Sequence, residues 1–163
     1  MTVAPKTCFF TGHRFIGFEE AREVKSRLTE ELLNVVNGGY TNFISGGAVG
    51  FDTLAAEQVI LLRENYDMLK LCLYLPCINH SRNWRENDKI RFERIFSLAD
   101  EIYYVSEERY KEGCMKKRNS AMVNASDLCI AFLKNMHSGT AQTVKMAEDK
   151  GLRIVNIADR VKL

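Results

Sequence analysis

The sequence is short of the features that mark fibres, disulfide scaffolds and membrane proteins. Only two prolines occur in 163 residues, Pro5 and Pro76, and no Ser-, Gly- or charge-rich linker interrupts the chain, so one domain over residues 1–163 is expected. Cys8, Cys72, Cys77, Cys114 and Cys129 are odd in number and contain no C-x-x-C pair. Reduced thiols and a cytoplasmic location are the expectation. No carboxylate or His cluster has metal-site spacing, so neither a metal nor a required cofactor is expected. No apolar run approaches a membrane span, and the one near the N-terminus is too short for a secretory signal. Nor is there an excess of one charge. With 23 Lys plus Arg against 21 Asp plus Glu, the net charge of +2 makes no case for a large polyanion as obligatory partner.

What the chain does have is 46% hydrophobic residues and a length that buries roughly 70% of the unfolded surface, enough for a core without staples. Short apolar runs alternate with longer helical patterns, which is the signature of a parallel sheet covered on both faces. Strands are expected at Thr7–Phe10, Asn42–Ser45, Leu71–Leu75, Ile102–Val105, Leu128–Leu133 and Arg153–Ile157. The first helix places Ala21, Val24, Leu28, Leu32 and Val35 on one face and ends at Gly38-Gly39. Helix is also expected from about Ser81 to Leu98, with Phe92, Ile95, Phe96 and Ala99 on one side, and around Met115–Ala125 and Thr140–Lys150. The fold class is α/β, an open, mainly parallel sheet of about six strands with helices on both faces.

In such a sheet a ligand sits beyond the carboxyl ends of the strands. The residues there are Thr11, Gly12, His13 and Arg14 after strand one, Ser45-Gly46-Gly47-Ala48-Val49-Gly50-Phe51-Asp52 after strand two, and Ser138, Gly139 and Thr140 after strand five. Glycines 46, 47 and 50 either permit a tight turn or let backbone N–H groups face a phosphate at a helix N-terminus. The loop is neither G-x-x-x-x-G-K-[ST] nor a strict G-x-G-x-x-G. Asp52 either accepts from a ribose hydroxyl or favours the helix dipole. Arg14 suits a bidentate phosphate contact, and His13 a hydrogen-bond donor or an acid or base. Asp100 and Asp127 precede strands and are read as turn or strand-start residues. Trp84 either stacks on a base or packs in the core.

These residues resemble a known family. Thr-Gly-His-Arg near the start, Ser45 to Glu57, Arg118-Asn119 and Ser138-Gly139-Thr140, in that order, are similar to the YpsA-like branch of the SLOG superfamily, which includes DprA/Smf and LOG proteins. The resemblance runs from about Thr7 to Ile157. It implies a Rossmann-like fold, a nucleotide or nucleotide-derived ligand and a homodimer. It also implies a ligand-facing role for Arg118, because Arg118, Met122 and Asp127 keep the LOG spacing. Set against LOG enzymes, Gln142 stands near the position of the carboxylate used for glycosidic chemistry, and an amide cannot serve as acid or base. The expectation is therefore binding, with phosphate on Gly46, Gly47, Gly139, Thr140 and Arg118 and the nucleoside end near Thr11–Arg14 and Asp52. The catalytic residues are unknown. One alternative is a nucleoside monophosphate phosphoribohydrolase using Asp52 or Glu57. The other is a DprA-like DNA or protein interaction module using Arg82, Arg85, Lys89, Arg91 and Arg94, although Glu86, Asp88 and Glu93 interleave with that basic set.

Overall fold

The structure, a computed structural model, describes residues 5–106 and 108–160. Six strands, β1 (Lys6–Gly12), β2 (Tyr40–Ser45), β3 (Lys70–Leu75), β4 (Glu101–Tyr104), β5 (Leu128–Phe132) and β6 (Arg153–Asn156), form one sheet. Their order is β4-β3-β2-β1-β5-β6, and every pair is parallel. The helices between them are α1 (Phe18–Asn37), α2 (Phe51–Arg63), α3 (Glu86–Leu98), α4 (Cys114–Asn124) and α5 (Gly139–Asp149), with a final 3-10 turn at Ile157–Arg160. This is the expected Rossmann-like α/β architecture.

The apolar runs become strands because a parallel sheet has no wet face in its centre. All five residues of β5 are buried, as are Cys8 to Thr11 of β1, whereas the edge strands β4 and β6 have no buried position. Such continuous burial calls for apolar side chains on both faces. On one face Phe10, Phe43, Leu71, Leu73, Ile130 and Phe132 pack beneath Val24, Leu28 and Leu32 of α1, Phe51 and Val59 of α2, and Ile95 of α3. On the other, Phe9, Ile44, Cys129 and Ala131 meet Met122 and Val123 of α4 and Val144 and Ala147 of α5. Asp127 and Asp100 hold strand starts. Asp127 accepts the Thr7 N–H at 2.9 Å, and Asp100 accepts both the Leu71 N–H at 2.8 Å and Arg63 at 2.7 Å.

One boundary differs from expectation. α3 starts at Glu86 rather than near Ser81. Residues 79–84 instead form turns, with Arg82 N–H donating to Asn79 and Trp84 N–H to Ser81. The turn lets the Trp84 ring meet His80 and Phe92 edge to face, at 5.2 and 5.6 Å between centroids. Trp84 is therefore a packing residue, and Phe96, expected on the inner face, is partly in solvent.

Candidate functional site

Strand order reverses between β1 and β5, and the chain leaves these two neighbours in opposite directions. A crevice at their carboxyl ends follows from that topology. It is present as a cleft of about 490 Å3. Thr11 to Phe15 supply one wall, Ala48 and Asp52 the floor, and Met115, Arg118, Asn119 and Met122 of α4 a second wall. Asn135, Ser138, Gly139, Thr140 and Thr143 close the third side. Of the residues expected at the site, the cleft thus gathers Thr11, Gly12, His13, Arg14, Ala48, Asp52, Arg118, Asn119, Ser138, Gly139 and Thr140. Ser45, Gly46, Gly47 and Gly50 are not among its lining residues.

The glycine loop is occupied by its own chain. Ser45 Oγ accepts the Gly47 N–H at 3.2 Å and donates to the Asp52 carbonyl at 3.1 Å, while Asp52 Oδ2 accepts the Ala48 N–H at 3.2 Å. Thr53 donates to the Ala48 carbonyl at 2.9 Å, and the Gly47 carbonyl lies 3.2 Å from His80 Nε2. Gly46 is required where it stands, since a Cβ there would lie 2.6 Å from Arg118 Nη1 and 2.9 Å from Asp52 Oδ2. The Gly47 amide is therefore not offered to a phosphate as the sequence suggested.

Arg118 lines the cleft but is only 5% exposed. Its Nη1 donates to the Gly46 carbonyl and, at 3.5 Å, to the Tyr74 carbonyl, and its Nε donates to Asn119 Oδ1 at 2.8 Å. The guanidinium thus straps α4 to the glycine loop. Its charge sits beside the Asp52 carboxyl. Burial pushes Asp52 up to about 6, against the pull of Arg118, the Ala48 N–H and Arg14. Burial also lowers Arg118, against the pull of Asp52.

His13 Nε2 accepts the N–H groups of Lys134 at 2.8 Å and Asn135 at 3.2 Å. Its proton therefore lies on Nδ1, and the ring fastens the β1 loop to the segment after β5. Burial, then the nearby Lys134, lowers its pKa. His80 is pushed down to about 4 by burial, opposed by its bond to Gly47. His80 Nε2 thus donates to the Gly47 carbonyl, and His13 accepts through Nε2 while keeping its Nδ1–H.

Other groups are left unspent. Thr11, Asp52 and Thr140 are at least 92% buried and line the cleft. The Thr11 and Thr140 hydroxyls and Asp52 Oδ1 have no hydrogen-bond partner among the described residues, and none of these atoms is sealed from solvent. At the start of α5, Ser138 Oγ accepts the Ala141 N–H at 3.2 Å, which leaves the Gly139 and Thr140 N–H groups without an acceptor. The Arg14 side chain is exposed, and among the described residues its guanidinium bonds to Met115 Sδ, at 3.9 Å, and to no oxygen. Asp52 is the only carboxylate among the lining residues. Gln142 lies outside the cleft, in a groove of about 500 Å3 between α4 and α5.

Phe15, Met115, Met122, Asn135 and Thr143 line the cleft without having been expected there on chemical grounds; Met122 alone carried a signal, its spacing from Arg118. A separate cavity of about 280 Å3 at the opposite edge, against Thr7, Thr41, Lys70 and Glu101, contains none of the expected residues. Among the described residues no three His, Cys, Asp or Glu side chains converge on a metal position, and no helix is long and apolar enough to cross a membrane. The basic face of α3 is partly neutralised, with Arg91 paired to Glu57.

A parallel sheet with a polar cleft at its reversal point defines a Rossmann-like α/β protein. Residues 10–155 match the YpsA family model, described as the YspA SLOG family, and the chain belongs to that family. It is 28% identical over 130 residues to a UPF0398 protein of Bacillus cereus strain B4264, covering 78% of this chain and 71% of the relative. It is also 28% identical over 138 residues to the uncharacterized SPbeta prophage-derived protein YoqJ of Bacillus subtilis strain 168, covering 75% and 81%. Among solved structures, DNA processing protein A from Helicobacter pylori, described for its single-stranded DNA binding mode, superposes with a TM-score of 0.65 at 19% identity. That match covers 92% of this chain but spans only 64% of the other, less than two thirds of its length.

Proposed function

We infer that the cleft binds a nucleotide or nucleotide-derived small molecule. The observation that carries this reading is the set of polar atoms on Thr11, Asp52 and Thr140 that have no partner among the described residues and, on side chains otherwise nearly buried, stay open to solvent at one cavity. Polar atoms free of protein partners and gathered at one concave site are available to a ligand that displaces water from them. Two kinds of partner are called for. The Gly139 and Thr140 N–H groups, the Thr140 hydroxyl and the positive end of α5 suit a phosphate, with Arg14 free to swing onto it. When ionised, the Asp52 carboxylate is an acceptor alone and repels a phosphate, so its Oδ1 suits a ligand hydroxyl, as on a ribose. One molecule carrying both is a nucleotide.

Binding is favoured over turnover because Asp52 is the one carboxylate among the lining residues and the acceptor nitrogen of His13 is already engaged by two backbone amides. The test is a thermal-shift screen with nucleoside mono- and diphosphates, NAD, ADP-ribose and cyclic dinucleotides, followed by calorimetry on any hit. A stabilising ligand whose effect is lost in Thr140→Val is the expected result. No shift across the panel refutes the reading. Single-stranded DNA is a second reading, favoured by the Helicobacter pylori neighbour. Salt-dependent binding of an oligonucleotide, with a slope matching several released counterions, is what it requires.

A further inference from the structure

The cleft has one large apolar side chain at its mouth that nothing in the chain uses. Phe15 lines the cavity yet is 91% exposed. The core has no shortage of phenyl rings, since Phe9, Phe10, Phe43, Phe51 and Phe132 are wholly buried. Nor is the loop that carries Phe15 loosely held. The Phe51 N–H donates to the His13 carbonyl at 3.1 Å, and Gly50, at φ 81°, leaves just enough room for the Arg14 carbonyl packed against it. On the other side, His13 Nε2 accepts the two amides after β5. A fixed backbone that holds a phenyl ring in water beside a polar cavity fits a stacking surface. An aromatic ring offers wide contact for few lost rotamers, and each nucleobase has a π-face to lay on it.

Resting on the nucleotide reading above, we propose that Phe15 is the platform on which the nucleobase of the bound nucleotide stacks. The cleft thereby selects a phosphate-bearing ligand with an aromatic base over a bare sugar phosphate. Trp84, the other stacking candidate, has its ring packed against His80 and Phe92. Two side-chain amides stand in the same cleft with their oxygens engaged. Asn119 Oδ1 accepts from Arg118, and Asn135 Oδ1 accepts the His137 N–H at 2.9 Å. Each retains an NH2 group with no partner among the described residues, a donor suited to the ring nitrogens and carbonyls on a base edge.

The experiment is titration calorimetry of adenosine 5′-monophosphate and ribose 5-phosphate against the wild type, Phe15→Ala and Phe15→Tyr. Because the ring is exposed, all three proteins should melt alike. Phe15→Ala is expected to weaken the nucleotide by about 5- to 150-fold, the range of one stacked base, and to leave ribose 5-phosphate unchanged. Phe15→Tyr should retain the nucleotide, and the adenine protons should show an upfield ring-current shift that Phe15→Ala abolishes. Equal wild-type affinity for both compounds, or equal weakening of both by Phe15→Ala, overturns the platform while leaving the cleft a phosphate site. Binding of neither compound by the wild type overturns the platform, and the nucleotide reading falls with it if the wider panel also gives no shift. A fall in assembly mass in Phe15→Ala with unchanged nucleotide affinity assigns the ring to a contact between copies, which also overturns the proposal.

Discussion

Replacing Asp52 with asparagine isolates the cost of holding a charge beneath the cleft. Burial raises this carboxyl from the ordinary 3.8 to about 6 even though Arg118 and Arg14 pull the other way. The sign follows from linkage. An acid whose folded pKa exceeds its unfolded one favours the fold while protonated, so that contribution is full below 3.8 and is lost as pH rises through 6. A rise of this size corresponds to about 3 kcal/mol. Asparagine keeps an oxygen for the Ala48 N–H and never ionises. The variant should therefore match the wild type near pH 4 and exceed it by about 3 kcal/mol at pH 8, equivalent to a melting point about 6–12 °C higher for a chain of this length. Urea titrations of both proteins from pH 4 to 8 measure the gap. The neutral histidines lose stability on acidification, but Asp52 is not among the groups that shift either of them, so their contribution cancels between the two proteins. A variant less stable than the wild type at pH 8 would show that the Arg118 pair outweighs desolvation, and a gap that does not change with pH would show that the carboxyl titrates alike in the folded and unfolded chain; either result contradicts a raised pKa.

Two further perturbations probe the loops that frame the cleft. Gly50→Ala forces a side chain into a left-handed backbone pressed on the Arg14 carbonyl, so a loss of about 2–4 kcal/mol in urea titration is expected; a loss under 1 kcal/mol would mean that the loop yields easily. His13→Ala removes the acceptor of two amides, and hydrogen exchange at Lys134 and Asn135 should accelerate while the centre of β5 stays protected. Unchanged exchange at those two residues would contradict the fastening role.

The fold was legible because its strands are unbroken apolar runs. Leu128 to Phe132 cannot be a half-wet strand, and the helices between runs carry one apolar stripe each. The start of α3 was not legible, because the helical spacing of its apolar residues says nothing about Trp84 needing the chain to turn before it meets His80. At the site, residue types and strand ends marked the right edge of the sheet and most of the cleft. Their hydrogen bonds were hidden. A glycine loop in sequence looks the same whether its amides face a phosphate or the neighbouring Ser45 and Asp52. A buried arginine likewise looks the same whether it holds a ligand or two backbone carbonyls. Phe15 gave no signal, since exposure is not written in a residue's type.

The reversal of strand order at β1 also bears on how the chain reaches this fold. β1 pairs on one side with β2, which follows within the first 45 residues, and on the other with β5, which begins at Leu128. During synthesis, strands one to four can assemble while the far side of β1, with Cys8, Phe9 and Phe10, has no neighbour. An open apolar strand edge is a template for pairing with another chain. Closing it requires partners about 120 positions apart, the slowest kind of contact to form. The same event joins His13 to Lys134 and Thr7 to Asp127, so the pairing that covers the far edge of β1 is also the one that first brings the walls of the cleft together.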